Sequence, residues 1–302
     1  AIVYFTIPLR ALQWAVLLGV PAKPLFAHAV KSQCLGYLGD LVLPFRGGDA
    51  VRAVVMADAS KTTIGRVLPS LVLCRMQDIP PIATLAAASY ATVGSLLLAD
   101  RRSVENGSIG SLGLGVIVGL AVFALAVAGI YVARARSGFD STLDRLSEKI
   151  RRGAAPTLRD CSAGMRAAAS WKRLGASQAI SIACWVSFSL AAVPLLTTVL
   201  GLDLRAALVT GFVQNGISVL ALVLPAAPGA VGTYHALCVF AVTTVNPSIS
   251  EEQALAYAVL AHAVGTLGPA LTGLPYLPDQ FLAFRNAADV ESSKTEVVRE
   301  EL

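Results

Sequence analysis

Arg46, Asp49 and Arg52 stand together directly after the apolar tetrapeptide Leu41-Val42-Leu43-Pro44. Two guanidinium groups against one carboxylate leave one positive charge over, and a guanidinium fork matches the oxygens of a phosphate. An anionic lipid headgroup is therefore the natural guest if these residues lie inside a bilayer. There a charge at the centre of a spanning helix costs about 2.5–3.5 kcal/mol on insertion scales, so it is normally paired or lines a polar path. A plainer reading stays open, in which Asp49 simply pairs with Arg46 or Arg52 at the membrane surface. Arg10 in the first apolar run, and Arg75 with Asp78, extend the same polar path. Snorkelling to the headgroups accounts for each of these equally well.

The same tetrapeptide recurs as Leu222-Val223-Leu224-Pro225 and opens onto Pro228, Gly229 and Gly232. Such a break frees backbone groups, and a helix starting near Gly232 would aim its positive N-terminal end into the site, where phosphate needs no charged side chain. Gln214 and Asn215 could add hydrogen bonds to a guest or hold helices together. His235 could carry a proton near neutral pH or serve as a hydrogen-bonding core residue; His262 reads similarly, and His28 looks interfacial.

Enzymatic motifs are missing from the sequence: no nucleophile elbow, metalloprotease helix, nucleotide-binding P-loop or acidic pair for metal-bound phosphates is found. The five cysteines are scattered and form no metal or disulfide pattern. The expectation is a protein that is no enzyme and uses no cofactor or metal.

These residues need a membrane to position them. With 55% hydrophobic and 14% charged residues, and a mean hydropathy of +0.67, the chain has too many apolar side chains for a water-soluble core. Crossing about 30 Å of hydrocarbon takes roughly 20 residues of helix. Segments 82–99, 109–133, 177–200 and 252–276 qualify, and no barrel-type alternation competes with them. The net charge of +5 sits beside these segments, so it reads as topology and headgroup contact rather than nucleic-acid binding.

Segment 134–173 holds ten Lys or Arg against four acids, which places it in the cytoplasm. Within it Phe139, Leu143, Leu146 and Ile150 recur at helical spacing opposite Arg145, Lys149 and Arg152, as in a helix lying on the bilayer. Counting outward, 25–44 with 46–60 and 206–224 with 226–245 become two re-entrant hairpins entering from opposite sides. Chance recurrence of an apolar tetrapeptide is the alternative. Segment 61–79, with Arg66, Arg75, Asp78 and Pro69, reads as a helix at the cytoplasmic interface. The predicted architecture is an all-α, polytopic helical membrane protein with two inverted halves, each containing a broken re-entrant hairpin. It forms a single integral membrane domain over 1–302, divided into halves 1–133 and 174–278, the linker 134–173 and a cytoplasmic tail 279–302. The apolar run from Ala1 points to a trimmed or processed N-terminus.

Four ordered elements then carry a family resemblance. Pro44-Phe45-Arg46-Gly47-Gly48-Asp49-Ala50-Val51-Arg52 resembles the P-x-R-x-G-[ED]-x-x-R signature of the lysylphosphatidylglycerol synthase transmembrane-region family, also called flippase-like integral membrane proteins. Arg75-Met76-Gln77-Asp78 is similar to its R-x-x-D element, and Pro225 through Gly232 to its P-x-x-P-G-x-x-G element. Leu9-Arg10-Ala11-Leu12-Gln13-Trp14 fits its early arginine and tryptophan. Two departures stand out. His235 occupies a position usually held by glutamate, and Cys74 stands beside Arg75 without the family's glutamate.

The resemblance implies movement between leaflets of an anionic or phosphate-bearing lipid, such as an aminoacylated phospholipid or a glycosylated or isoprenoid lipid. The alternative is a non-transporting subunit or scaffold for a cell-envelope lipid enzyme. Expected partners are that lipid and either a second copy of the chain or an envelope enzyme, in the plasma or inner membrane.

Overall fold

The computed structural model describes residues 2–18, 22–43, 47–99, 160–161, 170–219 and 230–279. All regular structure among the described residues is helical: α1 (Ile2–Leu18), α2 (Ala22–Val42), α3 (Gly48–Ala59), α4 (Ile64–Ala99), α5 (Trp171–Val199), α6 (Leu204–Ser218), α7 (Thr233–Val245) and α8 (Glu251–Leu271). A short 3₁₀ turn, Leu274–Tyr276, follows α8. Span 109–133, the external stretch 100–108, most of linker 134–173, the break at 220–229 and tail 280–302 lie outside the described residues.

α2 ends just before Pro44, as expected of a chain whose next residue cannot donate a helical hydrogen bond. α3 begins at Gly48 and packs back along α2. The contact is made by glycine: a Cβ on Gly39 would lie 3.0 Å from the Gly48 Cα, and one on Gly48 would overlap the Gly36 carbonyl and the Asp40 carboxylate. Small residues let membrane helices approach to backbone contact in this way. α6 and α7 form a second packed pair, each on its own side of a break. Both pairs fall on the segments expected to form hairpins.

α4 differs from expectation. The interfacial helix expected over 61–79 and the span expected over 82–99 are one continuous helix of 36 residues, about 54 Å at 1.5 Å per residue. Pro69, Pro80 and Pro81 lie inside it. Pro81 cannot donate to the carbonyl of Gln77, and Gln178 of α5 fills that vacancy with an Nε2–H bond of 3.1 Å. A helix boundary was read where a neighbouring helix instead completes the backbone.

Polarity runs outside-in relative to a soluble protein. Val259, Val264 and Leu271 of α8 are 50%, 46% and 57% exposed, whereas Arg52 and Asp78 are 1% and 5% exposed. Among the described residues two helical stretches, Trp171–Val199 and Glu251–Asp279, are long and apolar enough to cross a membrane. Large apolar side chains face outward while Arg10, Arg52 and Asp78 face inward, as a hydrocarbon solvent favours. Trp14, Met56, Val67 and Leu71 centre one apolar core, and Leu196, Cys238, Val242 and Tyr257 another.

Candidate functional site

Arg52 projects from α3 into α2. Its Nε donates to Gln33 Oε1 at 3.0 Å, Nη1 to Asp49 at 2.7 Å and Nη2 to Asp40 at 2.9 Å. The guanidinium carbon lies 5.0 Å from the centre of the Tyr37 ring. Gly36 is what makes room: a Cβ there would overlap the Arg52 side chain. Arg52 is therefore a buried clamp between two helices.

Asp49 passes the charge on to α4. Arg75 grips it with a fork, Nε to Oδ2 at 3.1 Å and Nη2 to Oδ1 at 2.5 Å. Nη1 of Arg75 lies 3.8 Å from Asp78 Oδ2, one helical turn on. Asp78 Oδ1 accepts from Arg10 Nη1 of α1, from Ser181 of α5 at 2.7 Å and from the Trp185 indole at 3.4 Å. Arg10 also donates to Gln13 at 3.0 Å and lies within 5.9 Å of the rings of Trp185 and Phe188.

The result is an alternating ladder, Asp40–Arg52–Asp49–Arg75–Asp78–Arg10, joining the four helices α1 to α4 and tied to α5 through Ser181 and Trp185. Three carboxylates balance three guanidinium groups. The third carboxylate is that of Asp40, which pairs with Arg52 and is not among the residues singled out from the sequence. Its signal was available: an acid in the apolar last turn of a helix, one turn before Pro44. Arg46 itself lies outside the described residues, as do Pro228 and Gly229.

Accessibility separates the arginines. The side chains of Arg52 and Arg10 are 1% and 9% exposed, while that of Arg75 is 42% exposed. Nη1 of Arg75 makes no hydrogen bond among the described residues, so it can take an oxygen anion while Nε and Nη2 stay on Asp49. The arrangement offers one open guanidinium edge backed by a neutral, fully paired network.

The second group of expected residues is elsewhere in the fold. Gln214 of α6 accepts from Tyr257 at 2.6 Å and donates to Tyr234 at 3.2 Å, which ties α6, α7 and α8 together. Asn215 donates to Ser189 of α5 at 2.9 Å. Both amides join helices. Gly232 has φ +87, a left-handed backbone suited to glycine, and caps the start of α7. Its N–H donates to Nδ1 of His235 at 3.1 Å, and Nε2 of His235 faces Nδ1 of His262 at 3.2 Å.

The profile of the lysylphosphatidylglycerol synthase TM region matches residues 1–273, and so takes in the whole ladder and both of these histidines. The chain belongs to that family. Membership agrees with the resemblance carried by the four sequence elements, and with the membrane placement of the helices. The family member is also similar to Glycosyltransferase AglD of Haloferax volcanii, 32% identical over 252 residues, an alignment covering 75% of this chain and 39% of that relative. The chain therefore spans well under half the length of the curated relative it matches. That relative carries the name of an enzyme, which overturns the expectation of a protein that is no enzyme. No solved structure matches the chain.

Proposed function

We propose that the chain binds the phosphate of a membrane lipid at the open edge of Arg75 and carries that headgroup between leaflets. One observation supports this above the others: in the charge-balanced ladder, Arg75 is the half-exposed arginine, and its Nη1 makes no hydrogen bond among the described residues. A guanidinium desolvated on one side and pinned by a carboxylate is pre-oriented for a phosphate oxygen. Arg46, at the break between α2 and α3, would add the positive charge that the ladder lacks. Asp49 and Asp78 orient Arg75, while Arg52 and Arg10 hold those carboxylates in place.

The lipid class is anionic or phosphate-bearing, an aminoacylated phospholipid or a glycosylated or isoprenoid lipid phosphate. The α2/α3 and α6/α7 pairs act in this reading as re-entrant hairpins of two inverted halves, with linker 134–173 and the tail on the cytoplasmic side. Similarity to a protein named a glycosyltransferase supports a second role of the same site, presenting the lipid phosphate to transferase chemistry. The two roles share one requirement, a lipid phosphate seated on Arg75.

Purification in mild detergent, with bound lipids identified by mass spectrometry, tests that requirement. An anionic lipid enriched with wild type and lost with Arg75→Gln is expected. Equal lipid in both folded proteins would remove Arg75 from the site.

A further inference from the structure

Two helical stretches of equal length give the fold a depth scale. Trp171–Val199 and Glu251–Asp279 are 29 residues each. That is about 43 Å at 1.5 Å per residue, and a bilayer with its headgroups measures about 40–45 Å, of which about 30 Å is hydrocarbon. At one end the two stretches meet. Leu200, Leu202 and Ile249 pack on the core of Leu196, Val242 and Ala254, with Asp203 and Glu251 exposed beside them. Trp171 and Asp279 therefore mark the opposite face.

The charge ladder lies toward that face. Gln77 Nε2 donates to the Leu174 carbonyl at 3.4 Å, and Gln178 Nε2 donates to the Gln77 carbonyl at 3.1 Å, so Arg75 flanks the first turns of α5. Leu174 lies about 5 Å along α5 from Trp171, and Ser181, which bonds Asp78, about 15 Å, against about 21 Å for the middle of the span. The α2 side agrees. Lys31 pairs with Asp279 at 3.7 Å, and Gln33 in the same turn accepts from Arg52. A Cβ on Gly273 would lie 2.7 Å from the Cys34 carbonyl oxygen, which seats the end of α8 on that stretch of α2. From here α4 descends beside α5: Ser89 donates to the Phe212 carbonyl of α6 at 3.3 Å, and Asn215 of α6 donates to Ser189 of α5 at 2.9 Å.

We infer that the Arg75 seat is a one-leaflet site near headgroup depth, on the face marked by Trp171, Lys31 and Asp279, and loads its lipid from that leaflet rather than from the centre of the bilayer. The inference rests on the Arg75 reading above and adds to it the side and depth of loading. Charge and exposure fit this placement. Half-exposed Arg75 lies outward, while Asp78 and Arg10, which reach toward Ser181, are buried. Lys172 and Arg173 stand at the same end of α5, beside exposed Trp171, as headgroup-facing residues do. α4 runs on past this face, with Ile64 about 20 Å from Gln77 along the helix. Its surface there is mixed, with Lys61 and Arg66 exposed beside Ile64 and Leu68. A lipid phosphate on Arg75 leaves its acyl chains in the ordinary orientation of that leaflet, so loading costs no transfer of the headgroup into hydrocarbon.

Nitroxide labels on the full-length chain read the depth. Cys161→Ser removes the partly exposed cysteine, the other four being buried. Single replacements are then Met76→Cys beside Arg75, Trp171→Cys, Val264→Cys near the middle of α8 and Leu204→Cys at the far face. In phosphatidylcholine vesicles, power-saturation EPR compares collisions with oxygen, which concentrates in the bilayer centre, and with a water-soluble nickel chelate. The Met76 label should read close to the Trp171 label and about 10 Å shallower than the Val264 label. In membranes of the expression host, an impermeant maleimide should reach Met76→Cys and Trp171→Cys in the same preparation, whole cells or inside-out vesicles, and Leu204→Cys in the other. A Met76 label as deep as Val264, or one that reacts on the side of Leu204, would overturn the inference. Should Met76→Cys fail to fold, Val72→Cys, one turn outward and exposed, should read at least as shallow as Trp171; the depth of Val264 there would overturn it equally. These readouts need no bound lipid, so depth and side can fail while Arg75→Gln still loses its lipid, and can hold where it does not.

Discussion

Arg75 holds Asp49 by a two-pronged fork, with Nε 3.1 Å and Nη2 2.5 Å from the two carboxylate oxygens, while its Nη1 lies 3.8 Å from Asp78 and makes no hydrogen bond among the described residues. The same carboxylate accepts from buried Arg52 at 2.7 Å. One acid thus orients an accessible arginine on α4 and anchors a buried one on α3, and the two should respond differently to substitution.

Arg52→Gln should be a folding variant first. It strips two carboxylates and an amide of their buried partner, and breaking a buried ion pair costs about 3–5 kcal/mol. Thermal unfolding in detergent should show a large drop in midpoint. A midpoint within a degree or two of wild type would contradict the clamp.

Gly36→Ala and Gly48→Ala should each destabilise, since the added Cβ meets Arg52 in the first case and the Gly36 carbonyl and Asp40 in the second. Overpacking of this kind costs about 1–3 kcal/mol. Gly175→Ala, where a Cβ meets nothing within 4 Å, is the control and should unfold like wild type.

How much of this was legible beforehand differs by residue. The end of α2 could be read because Pro44 acts locally, on its own backbone and on its neighbour. The continuity of α4 could not, because Pro80 and Pro81 with nearby charges look like a boundary until Gln178 arrives from a helix nearly a hundred residues away. Six members of the charge network divide similarly. Arg10, Asp49, Arg52, Arg75 and Asp78 were visible as charges among apolar residues; Asp40 met the same criterion but sat outside the motif that drew attention. Gln214 and Asn215 show the limit of composition, since their tyrosine and serine partners belong to other helices.

Gln178→Leu tests the repair of α4. It leaves the Gln77 carbonyl without its 3.1 Å donor, and an orphaned buried acceptor costs about 1–3 kcal/mol. Hydrogen exchange should show faster opening around residues 77–81. Unchanged exchange there would mean that Gln178 is dispensable.

Arg10 and Asp78 should be strongly coupled. Arg10→Met and Asp78→Leu each leave a buried charge exposed to an apolar surround, and the double variant should recover much of the lost stability. Additive losses in a double-mutant cycle would contradict direct pairing.

The central claim is that a lipid phosphate moves by way of Arg75. The direct measurement is transbilayer movement in proteoliposomes, scored by chemical accessibility of a labelled anionic phospholipid or polyprenyl phosphate in the outer leaflet. Wild type should move one of these lipids. Arg75→Gln, verified as folded and reconstituted to the same density, should move it at least tenfold more slowly. Equal rates for wild type and Arg75→Gln would contradict the account.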